Sequence, residues 1–298
     1  MKNPYTESHE EPKLLNSFVC FADILGFSQL SIVALKNGNG NSFLSNIRKA
    51  LTTTYQRVDR HAQGLGDEAY FSYKVFTDNI VVGYPLRDEK YDYGEPEFAN
   101  ILDTFIEFQL GLVLEGFLVR GGLAYGSHYM DDDIVFGDAL LDAVSLDKSG
   151  SPPRIALTKS AIELLKGQLS FYSSKEGSPQ YEFLLQDSDG TIFLNYLSEA
   201  FMAFPDGGIL FEVIEDHKQS ITNGLKENIH NPGVRSKFEW VARYHNFVCQ
   251  EFCDRHPIPT TPDADEIFAA ACVEAQKLID YKIDISAFST NPSRIKSI

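Results

Sequence analysis

The chain has 298 residues, 43% hydrophobic and 23% charged, enough to bury a core of its own in one large domain or two small ones, and its composition excludes a disordered or fibrous class. The formal net charge of -16 removes the basic field that non-specific binding to nucleic acid or to an anionic membrane requires, so an anionic ligand has to be held locally, by a metal, by backbone N–H groups or by a few placed Lys and Arg. No apolar run reaches the ~20 residues of a membrane span, the N-terminus MKNPYTESHEEPK lacks a signal peptide's apolar stretch, and Cys20, Cys249, Cys253 and Cys272 are too few for a secreted disulfide framework. The expected location is the cytoplasm.

From Asn16 the pattern alternates strands and helices. SFVCFAD is a short apolar, β-branched and aromatic run that predicts a buried central strand, followed by a tight turn at Gly26. Phe43, Ile47, Leu51, Tyr55 and Val58 recur every three or four residues, which predicts an amphipathic helix over 43–60. Two β-type runs, 69–76 and 80–84, are separated by Thr77, Asp78 and Asn79, the chemistry of a tight hairpin. A helix over 98–114 leads to the strand FLVRGGLAYG, then to GDALLDAVSLDKS with helical spacing. After SGSPP come a short strand RIAL, a helix from Thr158 and two apolar runs, YEFLLQ and TIFLNYL. The alternation predicts an α/β sandwich, an α+β arrangement of helices on a sheet. Beyond Pro205 the strand signals stop: Leu210, Ile214, His217, Ile221 and Leu225 share one helical face, 234–252 continues the helical period, and a last helix over 266–281 follows a Pro-rich linker.

The chemistry resides in two acids. In FADILGF, Asp23 ends an apolar strand before a glycine turn, so its carboxylate projects from the sheet edge while the backbone of Ile24, Leu25, Gly26, Phe27 and Ser28 offers N–H groups to phosphate oxygens. In KVFTDNIVV, Asp78 sits at a hairpin tip. Each alone is as readily a turn former or helix cap. Together, on neighbouring strand ends, they make a hard-oxygen site suited to Mg2+ or Mn2+, with coordination positions left for phosphate and water.

The order of FADILGF, KVFTDNIVV, FLVRGGLAYG and GDALLDA resembles the class III adenylate and guanylate cyclase catalytic domain across about residues 16–200. The resemblance implies a catalytic domain over 16–204, an N-terminal tail over 1–15 and a helical extension and tail over 205–298. It implies two divalent metal ions, Mn2+ or Mg2+, held by Asp23, Asp78 and the carbonyl of Ile24. It also implies a nucleoside triphosphate substrate and a head-to-tail homodimer whose active sites are shared between protomers.

Several positions depart from the purine cyclases. Those enzymes usually have Gly before the hairpin Asp, where this chain has Thr77. Their Asn and Arg, four positions apart on a helix, match Leu141 and Ser145, so another donor must stabilise the transition state; Arg120 and Arg154 are the candidates. Their adenine-reading Lys matches Lys74, but its partner acid matches Ile134, with Asp133 one residue away. The combination with PPRIAL is similar to the bacterial pyrimidine cyclases of Pycsar antiphage systems. That implies a cyclic UMP or cyclic CMP signal read by a separate effector, which damages the membrane or depletes NAD. Lys74 as a donor to uracil O4 or O2 favours UTP. The alternatives are a cytidylate cyclase, a purine cyclase, and a non-catalytic nucleotide-binding module. No nucleic-acid or membrane partner is expected.

Other signals read as structure. His245, Cys249, Cys253 and His256 lie along one straight helix and cannot close a tetrahedron, so buried thiols and a capped His are expected. Asp131 to Asp133 read as a solvated turn, and Trp240, Tyr244 and Phe247 as a core or dimer-facing stripe.

Overall fold

In the computed structural model, which describes residues 3–6, 11–64, 71–87, 93–148, 152–260, 265–285 and 292–295, strand β1 (Leu15–Ile24) runs through the middle of the sheet and divides its side chains between two packed layers. Phe18, Cys20, Ala22 and Ile24 enter the larger core, while Val19 and Phe21 join Val81, Ala124, Ala139 and Ala143 on the opposite face. A strand covered on both faces is apolar without alternation, which is why SFVCFAD is legible as a central strand.

The hairpin β2 (Ser72–Phe76) and β3 (Asn79–Pro85), the long strand β4 (Val119–Met130) with its short partner β5 (Val135–Phe136), β6 (Ile155–Leu157), β7 (Leu184–Gln186) and β8 (Ile192–Leu194) complete the sheet. The order is β2-β3-β1-β4-β6-β8-β7, with β5 on β4; β4 and β6 are parallel and the other pairs antiparallel. The predicted mixed α/β architecture is the one observed.

Helices α1 (Phe27–Lys36), α2 (Gly40–Gly64) and α3 (Glu95–Leu114) follow β1 and β3. On the other face α4 (Asp138–Lys148) lies close against β4, because Gly122 presents no side chain: a Cβ there would stand 2.4 Å from the Ala143 carbonyl oxygen. Then come α5 (Lys159–Leu169), capped by the Thr158 hydroxyl on the Ala161 N–H, and short α6 (Pro179–Phe183). The 3-10 turn Tyr196–Phe201 leads to α7 (Phe211–Glu227), α8 (Pro232–Arg255) and α9 (Glu266–Gln276). Among the described residues no helix is long and apolar enough to cross a membrane.

Two details differ from the sequence reading. α1 carries no periodic signal, because none of its residues is buried; the apolar run YEFLLQ is half helix (α6) and half strand (β7), broken where Leu184 turns extended. The start of the first predicted β run, 69 and 70, lies outside the described residues.

The helical extension shares its core with the sheet domain. Leu25, Leu118, Leu185 and Phe193 pack in one cluster with Ile214, Ile221, Val241, Tyr244 and Phe252. At the N-terminus Tyr5 is buried and its hydroxyl hydrogen-bonds the Ser17 hydroxyl at 3.0 Å. Near the C-terminus Ser293 bridges to Gln186, and Arg294 reaches Glu182 and Glu251.

Candidate active site

Asp23 is the next-to-last residue of β1 and pairs across both neighbouring strands, with Asn79 on β3 and Arg120 on β4. The hairpin closes with Phe76 opposite Asn79 and only Thr77 and Asp78 between them. The Ile24 N–H donates to the Asp78 carbonyl at 3.2 Å, so the hairpin tip is tied directly to the end of β1. This brings the two predicted acids to one place, and both side chains are half-buried.

Thr77 adopts φ 53°, a left-handed conformation that is strained for a β-branched residue. It is also the position where the purine enzymes carry Gly. The Thr77 hydroxyl donates to Asp78 Oδ1 at 2.5 Å, fixing that carboxylate at the tip.

Residues opposite one another across antiparallel strands share a face. The row Phe76, Asn79, Asp23, Arg120 and the next row Lys74, Val81, Phe21, Gly122 therefore lie on the face that α4 partly covers. The Arg120 guanidinium stands 3.6 Å from the Asp23 carboxylate, with both side chains partly open to solvent. Lys74 Nζ donates to the carbonyls of Asp131 (2.8 Å) and Asp132 (2.5 Å). That β4–β5 loop is held by Asp131 itself, which accepts the Tyr129 hydroxyl and the N–H groups of Asp133 and Ile134. These contacts, the Tyr129 hydroxyl foremost, hold the Asp131 carboxyl below its usual range. Lys74 is thus beside Asp133 and Ile134, the pair of positions left open for base recognition. Leu141 and Ser145 are exposed on α4.

Of the five residues expected to offer N–H groups, Ile24 and Leu25 spend theirs within the fold, on Asp78 and on the Leu118 carbonyl at 2.8 Å. Gly26 caps α1 at φ 79°, leaving Phe27 and Ser28 in a first helical turn whose N–H groups have no intrahelical acceptor and favour an anion.

Arg154 is placed differently. It sits one strand beyond β4, buried, with its guanidinium on Asp187 and, at 2.7 Å, on Asp189; Asp187 also accepts the Trp240 indole N–H at 2.9 Å. Both terminal nitrogens of its guanidinium are taken up by these aspartates. The thiols of Cys249 and Cys253 are buried, and His245 faces His217 with Nδ1 atoms 2.9 Å apart and stacked rings. Trp240 and Tyr244 are core residues.

The donor set at the strand ends fits hard divalent cations. Among the described residues no three His, Cys, Asp or Glu side chains gather as a metal cage, so two carboxylates and a backbone carbonyl leave most coordination positions to phosphate and water, the arrangement Mg2+ favours. Sequence reasoning did not single out Asn79, which pairs opposite Asp23, because an Asn beside a hairpin tip reads as turn chemistry without reference to the neighbouring strand.

No protein-family model matches the chain, and no curated protein matches it. Solved structures similar to the chain include two guanylyl cyclases. One is the monomeric guanylyl cyclase domain of the RhoGC fusion protein from the aquatic fungus Blastocladiella emersonii, at 14% identity and TM-score 0.39, covering 61% of this chain and 96% of that one. The other is the guanylyl cyclase Cya2, at 13% identity and TM-score 0.33, covering 51% of this chain and 79% of that one. The likeness is one of fold.

Proposed function

We propose that this chain is a nucleotide cyclase that converts UTP to 3',5'-cyclic UMP and pyrophosphate. The observation that carries the reading is the meeting of Asp23 and Asp78 through the Ile24–Asp78 backbone bond, with Arg120 alongside. Asp23, Asp78 and the Ile24 carbonyl would hold two divalent ions, Mn2+ or Mg2+. Those ions, when bound, supply activation of the ribose 3'-hydroxyl and neutralisation of the triphosphate.

The chain's own residues position the rest. The first turn of α1 receives phosphate oxygens, and Arg120 offsets charge on the α-phosphate as the O3'–P bond forms and the bond to the leaving pyrophosphate breaks. Lys74, with three donors and two carbonyl partners, keeps a donor for a pyrimidine carbonyl. UTP is favoured over CTP because uracil offers O4 as well as O2. The cyclic nucleotide would act as an antiphage messenger for a separate effector.

A homodimer fits the surface. On α1, Leu30, Ile32, Val33 and Leu35 are exposed, Leu35 at 70%, and on the opposite side so are Phe136 at 60% and Leu141 at 71%. Exposed apolar faces on two sides of a strongly acidic chain suit head-to-tail pairing. Incubation of the purified protein with each of the four ribonucleoside triphosphates and Mn2+, with identification of the product, tests the reading; cyclic UMP is expected, and absence of any cyclic product overturns it.

A further inference from the structure

Helices α7 and α8 and the segment 282–285 that follows α9 border a cleft of about 500 Å3, the size of a small-molecule pocket, and none of its lining residues belongs to the Asp23–Asp78 end of the sheet. Leu225, Ile229, Ile283 and Ile285 make an apolar wall. Lys218 and Lys226 from α7, Arg235 from α8, and Lys282 bring four cations to the same cleft, in a chain whose net charge is -16. The segment is stapled to α8: the Asn246 side chain donates to the Ile283 carbonyl at 2.8 Å and accepts the Ile283 N–H at 2.7 Å.

The lysines are held without being neutralised. Lys218 Nζ donates to the Asp280 carbonyl at 3.1 Å and Lys282 Nζ to the Gln250 side-chain oxygen at 3.1 Å, so both ammonium groups rest on uncharged acceptors and keep donors to spare. Lys226 is exposed and has no ion-pair partner among the described residues. Arg235 spends its charge on Glu239, at 3.0 Å. Asp284 is the remaining acid of the lining, so three lysines stand against one carboxylate. An anion relieves the mutual repulsion of these lysines, and an apolar body attached to it covers the isoleucine wall.

We propose that this cleft binds a small organic phosphate, its phosphate among Lys218, Lys226 and Lys282 and its apolar or aromatic body against Leu225, Ile229, Ile283 and Ile285. The proposal stands apart from the cyclase reading and gives the C-terminal extension a ligand of its own. Such a ligand ties α7 to the closing segment and stabilises the folded chain by mass action.

Titration calorimetry of the full chain in EDTA, which keeps metal from the acids at the strand ends, uses phenyl phosphate as the probe, with inorganic phosphate and phenol as its two halves. Phenyl phosphate is expected to bind at least about tenfold more tightly than either half and to raise the melting temperature. Lys218→Met together with Lys282→Met, which keep the aliphatic stems, is expected to weaken binding by about tenfold or more, the worth of a charge-assisted hydrogen bond. The exposed Lys226→Met should weaken it with melting of the free protein unchanged, and Lys282→Arg should retain it. Lysine variants that bind like the wild type, phenol bound as tightly as its phosphate, or no saturable binding each overturn the proposal. Loss of binding in Asp23→Ala places the probe at the strand ends and overturns it as well. Phosphatidylglycerol vesicles that capture the chain through the same lysines, with phenyl phosphate ignored, make this face a membrane contact instead. None of these results alters the nucleotide incubation that tests the cyclase reading.

Discussion

At the end of β1 the Arg120 guanidinium stands 3.6 Å from Asp23, beyond hydrogen-bond length and partly open to water. One strand past β4, Arg154 is 4% exposed, bound to two aspartates, one of which also holds the Trp240 indole. The two arginines flank the same stretch of sheet and have the same charge, but only one environment is closed. A buried cation needs its charge answered, as Asp187 and Asp189 answer that of Arg154, because an unanswered charge costs several kcal/mol; a cation meant for a ligand must keep reach. On the proposed reading Arg154 serves structure and Arg120 the site, a division that their sequence contexts, PPRIAL and VRGG, do not reveal.

The largest effect that tests this contrast comes from the acids: Asp23→Ala and Asp78→Ala are each expected to lower turnover by at least about 100-fold while circular dichroism and melting temperature stay near wild type. Retained turnover in either variant removes the site. Arg154→Ala should do the reverse, costing about 3 kcal/mol in urea unfolding through the orphaned Asp187; a variant as stable as wild type would place Arg154 back among candidates for catalysis. Arg120→Ala should lower turnover with a stability change under about 1 kcal/mol, as for an exposed ion pair.

Acid sensitivity extends the comparison to the buried histidines. Burial lowers His128 to about 4 against the neighbouring Asp138, and burial also holds His217 and His245 well below the usual value of 6.5. Above pH 6.5 these groups are neutral folded and unfolded. As pH falls below that, the unfolded chain takes up protons first, so stability drops roughly 1.4 kcal/mol per pH unit per group until the folded His128 titrates near 4. Urea midpoints from pH 7 to 4.5 check this, and His128→Phe should flatten part of the slope. The smallest effect is at Thr77: replacement by Gly relieves the left-handed backbone but gives up the hydroxyl contact to Asp78, for a net stabilisation of about 1 kcal/mol or less, read from the melting temperature.

The sequence carries the elements whose side chains repeat against one surface. α7 buries Ile214, His217, Ile221 and Leu225 as its period predicts, and α8 buries Trp240 and Tyr244. α1 escapes because it buries none of its residues fully and packs against the core only through Phe27, and α6 escapes because five residues make too short a period. At the candidate site the two acids are legible because each lies where an apolar strand stops. Which cation joins them is not, since Arg154 and Arg120 are sorted by pairings with residues more than 30 positions away, Asp187 for one and Asp23 for the other. No local pattern encodes such pairings.

Helix α3 serves two masters. Ile101, Leu102, Phe105 and Phe108 face the sheet core, while Ile106, Leu110 and Val113 face the C-terminal helices. A wall held in common makes the molecule melt as a unit, so calorimetry should record one transition rather than two. It also means that a chain shortened after the last strand would bare a greasy stripe along its own middle, turning a trimmed chain into an aggregating one.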